Sequence, residues 1–230
     1  MPLGRLESGA QMDYSKAKAL IKLSRLHFLP PGLILYTLGV LLASVQGSTL
    51  DLGKFALGYL IFLPAHVATH ISNDYFDRFG DKYAEQTGLS GGSEILVSNP
   101  ELAPLAIRIA VALMLLSVGM AVLFTLIFSY PIWFLLFAIG AALLAWFYTA
   151  PPVKLAYRGL SEASTAVAVG FVMPATGYFA MSGTIDAWFA LLSVPFILYG
   201  LLFIISVEMP DVDADRMAGK VRSRPQQVVL

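Results

Sequence analysis

The chain contains no cysteine and only three histidines. Without thiols there is no disulfide framework, no thiolate zinc site and no cysteine nucleophile. Charge is scarce as well. Asp, Glu, Lys and Arg make up 13% of the 230 residues, against roughly 25% in soluble domains. Fifteen basic residues balance fifteen acidic ones, so the basic surplus of nucleic-acid binders is missing and nucleic acid is not an expected partner. What fills the sequence is apolar: 57% of residues are hydrophobic and mean hydropathy is +0.73. A soluble fold of this size cannot bury that much apolar surface. The expected partner is the lipid bilayer.

The apolar residues come in long runs. A helix rises about 1.5 Å per residue and the hydrocarbon core is about 30 Å thick, so a span needs about 20 apolar residues. Six stretches qualify: 28–45, 53–72, 103–128, 131–150, 160–181 and 187–209. The fold class read from this pattern is an all-α integral membrane protein of about six transmembrane helices. Residues 1–27 read as a cytoplasmic leader, either amphipathic and interfacial or simply solvated, and too polar for a secretory signal. Residues 28–209 form the six-span bundle and 210–230 a polar tail. Lys and Arg fall in the N-terminal segment, after spans two and four and in the tail, with only Lys54 on the other side. That asymmetry predicts a multi-pass protein of the cell membrane with its N-terminus in the cytoplasm.

The acidic residues are clustered. Asn73, Asp74, Asp77 and Asp81 follow span two as NDYFDRFGD, and Glu208, Asp211, Asp213 and Asp215 follow span six as EMPDVDADR. Spacing of i, i+4 puts Asn73, Asp77 and Asp81 on one helical face, and likewise Asp211 and Asp215. Like charges stacked this way repel. At an exposed loop water screens them; against apolar helices a hard divalent cation does so better. Mg²⁺ takes oxygen ligands, uses one or two carboxylates and leaves room for substrate phosphate. Counter-charges for a polyanion lie on the same side at Arg78, Lys154, Arg158 and Lys220, although a cation there equally serves as a topological anchor. No GxxxxGK[ST] loop is present, which argues against nucleotide hydrolysis. The run Ser90-Gly91-Gly92-Ser93 either presents N–H groups to an anion or turns the chain. His66 and His70 lie one turn apart on the stripe leading to Asn73, as substrate or proton-carrying groups or as histidines satisfied by neighbouring helices.

NDYFDRFGD, YTAPPVKLAYRGLSE and DVDADRMAGK, in that order after spans two, four and six, resemble the three signature segments of the UbiA-type intramembrane aromatic prenyltransferases. SGGSEILV is similar to the corresponding loop of the menaquinone-pathway branch, whose acceptor is 1,4-dihydroxy-2-naphthoate. The resemblance implies a helical bundle around a central cavity and a Mg²⁺-dependent enzyme that transfers a polyprenyl group from its diphosphate to an aromatic acceptor. By motif position it implies two Mg²⁺ ions held by Asn73, Asp77 and Asp81 and by Asp211 and Asp215. Arg78, Lys154 and Lys220 would face the diphosphate and Tyr148 the reacting carbon; Asp77, Asp215 and Tyr148 would carry catalysis. Family members continue into three further spans, whereas here GKVRSRP leads to Leu230. The expectation is a bundle lacking those spans, as a truncated gene product or with partner chains completing the cavity; nothing else in the sequence supports an oligomer. Other acceptors (4-hydroxybenzoate, homogentisate, a glycerol phosphate lipid), a divalent-cation transporter and a non-catalytic remnant stay open at this level.

Overall fold

The computed structural model describes residues 16–80 and 92–208, without the side chains of residues 207 and 208. These residues are helical with no strand among them. Helix α1 covers residues 16–23; its lysines Lys16, Lys18 and Lys22 are exposed, while Leu23 is buried and Ala19 and Leu20 pack on the core. Arg25 takes a left-handed backbone (φ 46°), which ends α1 and starts a 3-10 turn at Leu26–Phe28. Helix α2 follows at Leu29–Val45 with Pro30 and Pro31 in its first turn, where a missing N–H has no intrahelical partner to lose.

Helix α3, Leu52–Asp77, begins at Asp51, whose carboxylate accepts from the Lys54 backbone N–H. Its 26 residues span about 39 Å, longer than the roughly 30 Å hydrocarbon core. The apolar run stops near Ser72, yet the helix continues, carrying Asn73 to Asp77 to one end of the bundle. A single helical turn, α4 (Ile95–Ser98), leads into α5, Ala103–Ile127. Helix α6, Ile132–Phe147, has 16 residues and reaches only about 24 Å. It stops short of the span expected over 131–150 because a turn precedes Pro151 and Pro152. Helix α7, Ser161–Ser182, contains a π-helical turn at Ala168–Val172 that ends two residues before Pro174, whose ring nitrogen cannot donate to the preceding turn. Helix α8 is Ala187–Glu208. Asp186 caps it: Oδ1 accepts from Phe189 N–H at 2.8 Å and Oδ2 from the Tyr178 hydroxyl at 2.7 Å. The Phe189 N–H first, then the Tyr178 hydroxyl, hold the Asp186 carboxyl below the usual carboxylate range.

Five of these helical segments are long and apolar enough to cross a membrane, and α6 is a shorter apolar sixth. Outward positions carry large apolar side chains such as Leu41, Leu115, Leu126, Trp133, Leu191 and Leu202, the surface a bundle presents to lipid. Polar side chains inside the bundle close on backbone carbonyls: Ser117 on Ile61 at 2.6 Å, Tyr36 on Phe55 at 2.9 Å and Tyr130 on Ala180 at 2.5 Å. In hydrocarbon there is no water to take their place.

Helix α7 lies at the centre, with every residue from Pro174 to Met181 buried. It meets α2 through glycine. A Cβ on Gly39 would collide with the Pro174 carbonyl oxygen and stand 2.9 Å from the Tyr178 nitrogen, and one on Gly177 would collide with the Tyr36 carbonyl oxygen. Both obstacles are backbone, which cannot rotate away. Gly39→Ala is therefore expected to cost about 3 kcal/mol, the upper end of ordinary overpacking, read as a lowered thermal midpoint in detergent. Gly119→Ala, with nothing within 4 Å of the added methyl, is the control and is expected to leave the midpoint unchanged or raised, since Ala favours helix. Equal midpoints for both variants would refute the close crossing.

Candidate active site

A cavity of about 330 Å³ lies inside the bundle. Its walls come from Phe28, from α3 (Ile61, Phe62, His66, His70, Asn73), from α6 (Phe134, Phe137, Ala141, Tyr148 at its end), from α7 (Val169, Met173, Thr176) and from α8 (Phe203, Ile204). Most of the lining is apolar or aromatic. Asn73, near the end of α3, and Arg25 line the wall at one end of the bundle, and Ser117 and Thr176 are polar members of it too. The central cavity expected from the sequence is present.

The α3 stripe is as the spacing predicts, with His66, His70, Asn73 and Asp77 following one another at three- and four-residue intervals. Each of the last two is tied to the segment after α6. Thr149 donates its hydroxyl to Asn73 Oδ1 at 2.8 Å, and Tyr157 donates its hydroxyl to Asp77 Oδ1 at 2.7 Å. Lys154 stands at this mouth with Nζ 5.2 Å from the Tyr157 ring centroid, and Tyr148 lines the cavity. So the structure brings Asn73, Asp77, Tyr148 and Lys154 together. Arg78 goes elsewhere. Its guanidinium lies 4.4 Å from the Tyr75 ring and 4.3 Å from the Phe79 ring and donates to the Tyr75 carbonyl. Asp81, Asp211, Asp215 and Lys220 lie outside the described residues.

The sequence did not single out the pair that stabilises this mouth. Asp74 is 4% exposed and pairs with Arg25 at 2.7 Å, while its other oxygen accepts from the Ser93 backbone N–H at 3.1 Å. The Ser93 N–H, which could serve an anionic ligand, thus serves a carboxylate of the chain itself. The pair ties α1 and the turn before α4 to α3. An arginine next to a first span reads as a topological anchor, and nothing in the spacing links it to a residue 49 positions on. Thr149 and Tyr157 carried no signal either, because a turn decides where they point.

His66 and His70 form a continuous run of rings with Phe62 and Phe28, with centroid separations of 5.1, 5.0 and 5.1 Å. Among the described residues, His66 Nδ1 and His70 Nε2 have no hydrogen-bond partner.

Oxygen donors at the mouth of an apolar, aromatic-walled cavity suit a hard cation and a substrate that is anionic at one end and greasy at the other. Residues 33–223 match the UbiA prenyltransferase family. The chain belongs to this family. It is 25% identical over 214 residues to the 1,4-dihydroxy-2-naphthoate octaprenyltransferase of Bacillus subtilis (strain 168), covering 92% of this chain and 66% of that relative. The chain thus spans just under two thirds of that relative's length. In fold it is similar to a UbiA homolog from Archaeoglobus fulgidus. The likeness has a TM-score of 0.63 to the structure bound to DMAPP and Mg²⁺, with 19% identity over 86% of this chain and 67% of that one. For the structure bound to GPP and Mg²⁺ the TM-score is 0.65, with 21% identity over 86% of this chain and 66% of that one. The helices that wall the cavity here, α3, α6, α7 and α8, all fall within the region matched to the UbiA family.

Among the described residues no group of three or more His, Cys, Asp or Glu side chains converges on one point. Asn73 and Asp77 by themselves offer the small oxygen donor set that Mg²⁺ accepts when water and phosphate complete its shell. The donor chemistry fits that ion.

Proposed function

We propose that this chain transfers a prenyl group from an allylic prenyl diphosphate to an aromatic acceptor in the membrane, with 1,4-dihydroxy-2-naphthoate as the first acceptor to test. The observation that carries the reading is the placement of Asn73 and Asp77 one turn apart on α3, hydrogen-bonded to Thr149 and Tyr157 respectively, beside a cavity with aromatic walls. The acceptor assignment is supported by the Bacillus subtilis relative and by the SGGSEILV segment.

In this reading Asn73, Asp77 and Asp81 hold one Mg²⁺ and Asp211 and Asp215 a second. Bound Mg²⁺ neutralises the diphosphate and withdraws electron density from the leaving oxygen. Lys154 contacts the same diphosphate from the turn after α6, joined by Lys220; Arg78 joins them only by leaving the Tyr75 and Phe79 rings. The allylic C–O bond breaks with its electron pair going to diphosphate, a ring carbon of the acceptor bonds to the allylic carbon, and that ring carbon then loses its proton. Tyr148 presents its ring to the allylic carbon as positive charge develops, a stabilisation of about 0.5–2 kcal/mol. The apolar walls, Phe134 and Phe137 among them, keep water from intercepting the cation. The mouth faces the cytoplasm on the positive-inside reading of the loops.

The test is an assay on membranes containing this 230-residue chain, with radiolabelled farnesyl or geranylgeranyl diphosphate, a panel of aromatic acceptors, and Mg²⁺ supplied or chelated. Labelling of 1,4-dihydroxy-2-naphthoate that stops on chelation is the expected result. Labelling of a different acceptor would replace the substrate assignment. No labelled product with any acceptor, together with divalent-cation flux in liposomes lacking a donor, would replace the reaction itself.

A further inference from the structure

The segment between α6 and α7 does more than connect them. It is pinned to the end of α6 by backbone hydrogen bonds from Lys154 N–H to Ala150 at 3.0 Å and from Ala156 N–H to Tyr148 at 2.9 Å. Lys154 takes a left-handed backbone (φ 50°), uncommon for a residue with a side chain. That reversal starts the 3-10 turn Leu155–Tyr157, which brings the Tyr157 ring under the Lys154 ammonium. Tyr157 then faces both Lys154 and Asp77. Its ring face carries Lys154, and its hydroxyl donates to Asp77 at 2.7 Å across 80 positions of sequence.

We propose that Tyr157 is a positioning residue for Asp77 as a metal ligand, and that it links this ligand mechanically to Lys154. The inference rests on the reading of the site as Mg²⁺-dependent prenyl transfer. A carboxylate at a helix end turns freely about its last bond, and that freedom is lost when it binds a cation. A hydrogen bond that already holds one oxygen removes part of the loss beforehand. The donor type matters. A carboxylate has about four lone-pair sites, so a bond from a neutral phenol occupies one of them without contributing charge. A lysine or arginine in its place would neutralise the carboxylate and compete with the metal. The structure keeps the Lys154 ammonium nearby on the ring face of the same tyrosine. Ligand and counter-charge therefore move as one unit with the turn, so that cation binding and diphosphate binding favour the same loop position. Outer-shell partners of this kind change metal affinity by about 10- to 100-fold when removed.

Tyr157→Phe tests this, because it keeps the ring and the Lys154 contact and removes only the O–H. The measurement is Mn²⁺ binding to the purified full chain in detergent with inorganic pyrophosphate, followed by electron paramagnetic resonance of free Mn²⁺. The expected result is affinity weakened about tenfold in Tyr157→Phe, with an unchanged elution profile and unchanged KM for the aromatic acceptor. Tyr157→Leu, which also loses the Lys154 contact, is expected to raise the KM for the prenyl diphosphate in addition. Mn²⁺ affinity within about twofold of wild type in Tyr157→Phe, well short of the outer-shell range, overturns the role of Tyr157 and leaves the proposed reaction standing. A Tyr157→Phe chain that no longer elutes as a single species assigns the residue to folding and overturns the role as well. A wild-type chain that binds no Mn²⁺ with pyrophosphate overturns both this inference and the reaction it rests on.

Discussion

Asp77→Ala is expected to lower prenyl transfer on the order of 10³-fold or more, below detection in a radiolabel assay, while the chain still inserts and elutes as a single species. The catalytic loss follows from the proposed role: a metal ligand supports several kcal/mol of charge stabilisation in the transition state, and each 1.4 kcal/mol is about tenfold in rate. The structural cost is small by comparison. Asp77 is buried, and the hydrogen bond it accepts from Tyr157 comes from a neutral hydroxyl; one such bond contributes about 1 kcal/mol to stability. The alanine leaves that phenol at the mouth beside exposed Lys154, where water can reach it. Activity and fold should therefore separate in this variant. Turnover within about tenfold of wild type would remove Asp77 from the metal site and leave the α3 stripe as a hydrogen-bonding edge only.

Arg25→Ala is expected to do the opposite and destabilise the fold by about 3–5 kcal/mol, the cost of leaving a buried charge without its partner. Asp74 is 4% exposed and Arg25 18%, so the pair is not a surface bridge of the kind that contributes about 0–1 kcal/mol. In the variant the Asp74 carboxylate keeps its hydrogen bond from Ser93 and loses its counter-charge. Helix α1 then loses its polar tie to α3 and retains the packing of Leu23 in the cluster with Ile71, Leu102 and Ala106. The check is a double-mutant cycle by thermal or denaturant unfolding in detergent. Arg25→Met with Asp74→Leu should cost less than Arg25→Ala alone, because replacing both charges leaves none unpaired. Additive losses in the cycle would show that the two side chains do not interact.

These two variants fall on the same turn-and-helix junction and on opposite sides of what the sequence made legible. Asn73 and Asp77 stand out from their spacing alone, since polar residues at helical intervals on the end of an apolar run must be compensated by something. The membrane spans stand out for the same kind of reason, and the observed helices begin and end within a few residues of the expected ones, except at α3 and α6. Helix α3 runs five residues past its apolar stretch because Asn73, Asp74 and Asp77 each find a partner there. Helix α6 stops early because of the two prolines after it. Arg78 shows the reverse: its charge and position made it a diphosphate ligand by motif, and the rings of Tyr75 and Phe79 hold its guanidinium in this structure.

The amino-acid sequence alone determined that the chain is helical and lives in a membrane. Each helix satisfies its own backbone in lipid, so composition and run length suffice and no long-range contact is needed. It also determined which face of α3 is acidic, since that depends only on a local repeat of 3.6 residues. Tertiary structure decided which polar groups meet: Arg25 with Asp74, Thr149 with Asn73, Tyr157 with Asp77, at separations of 49, 76 and 80 positions. It decided too that Gly39 and Gly177 are where the backbones of α2 and α7 touch, and that Gly170 meets the backbone of α8 at Ile197. A hydrogen bond forms or fails within a few tenths of an ångström and a methyl group fits or clashes on the same scale. Such distances between helices are set by the packing of the whole bundle, and no local pattern in the sequence encodes them.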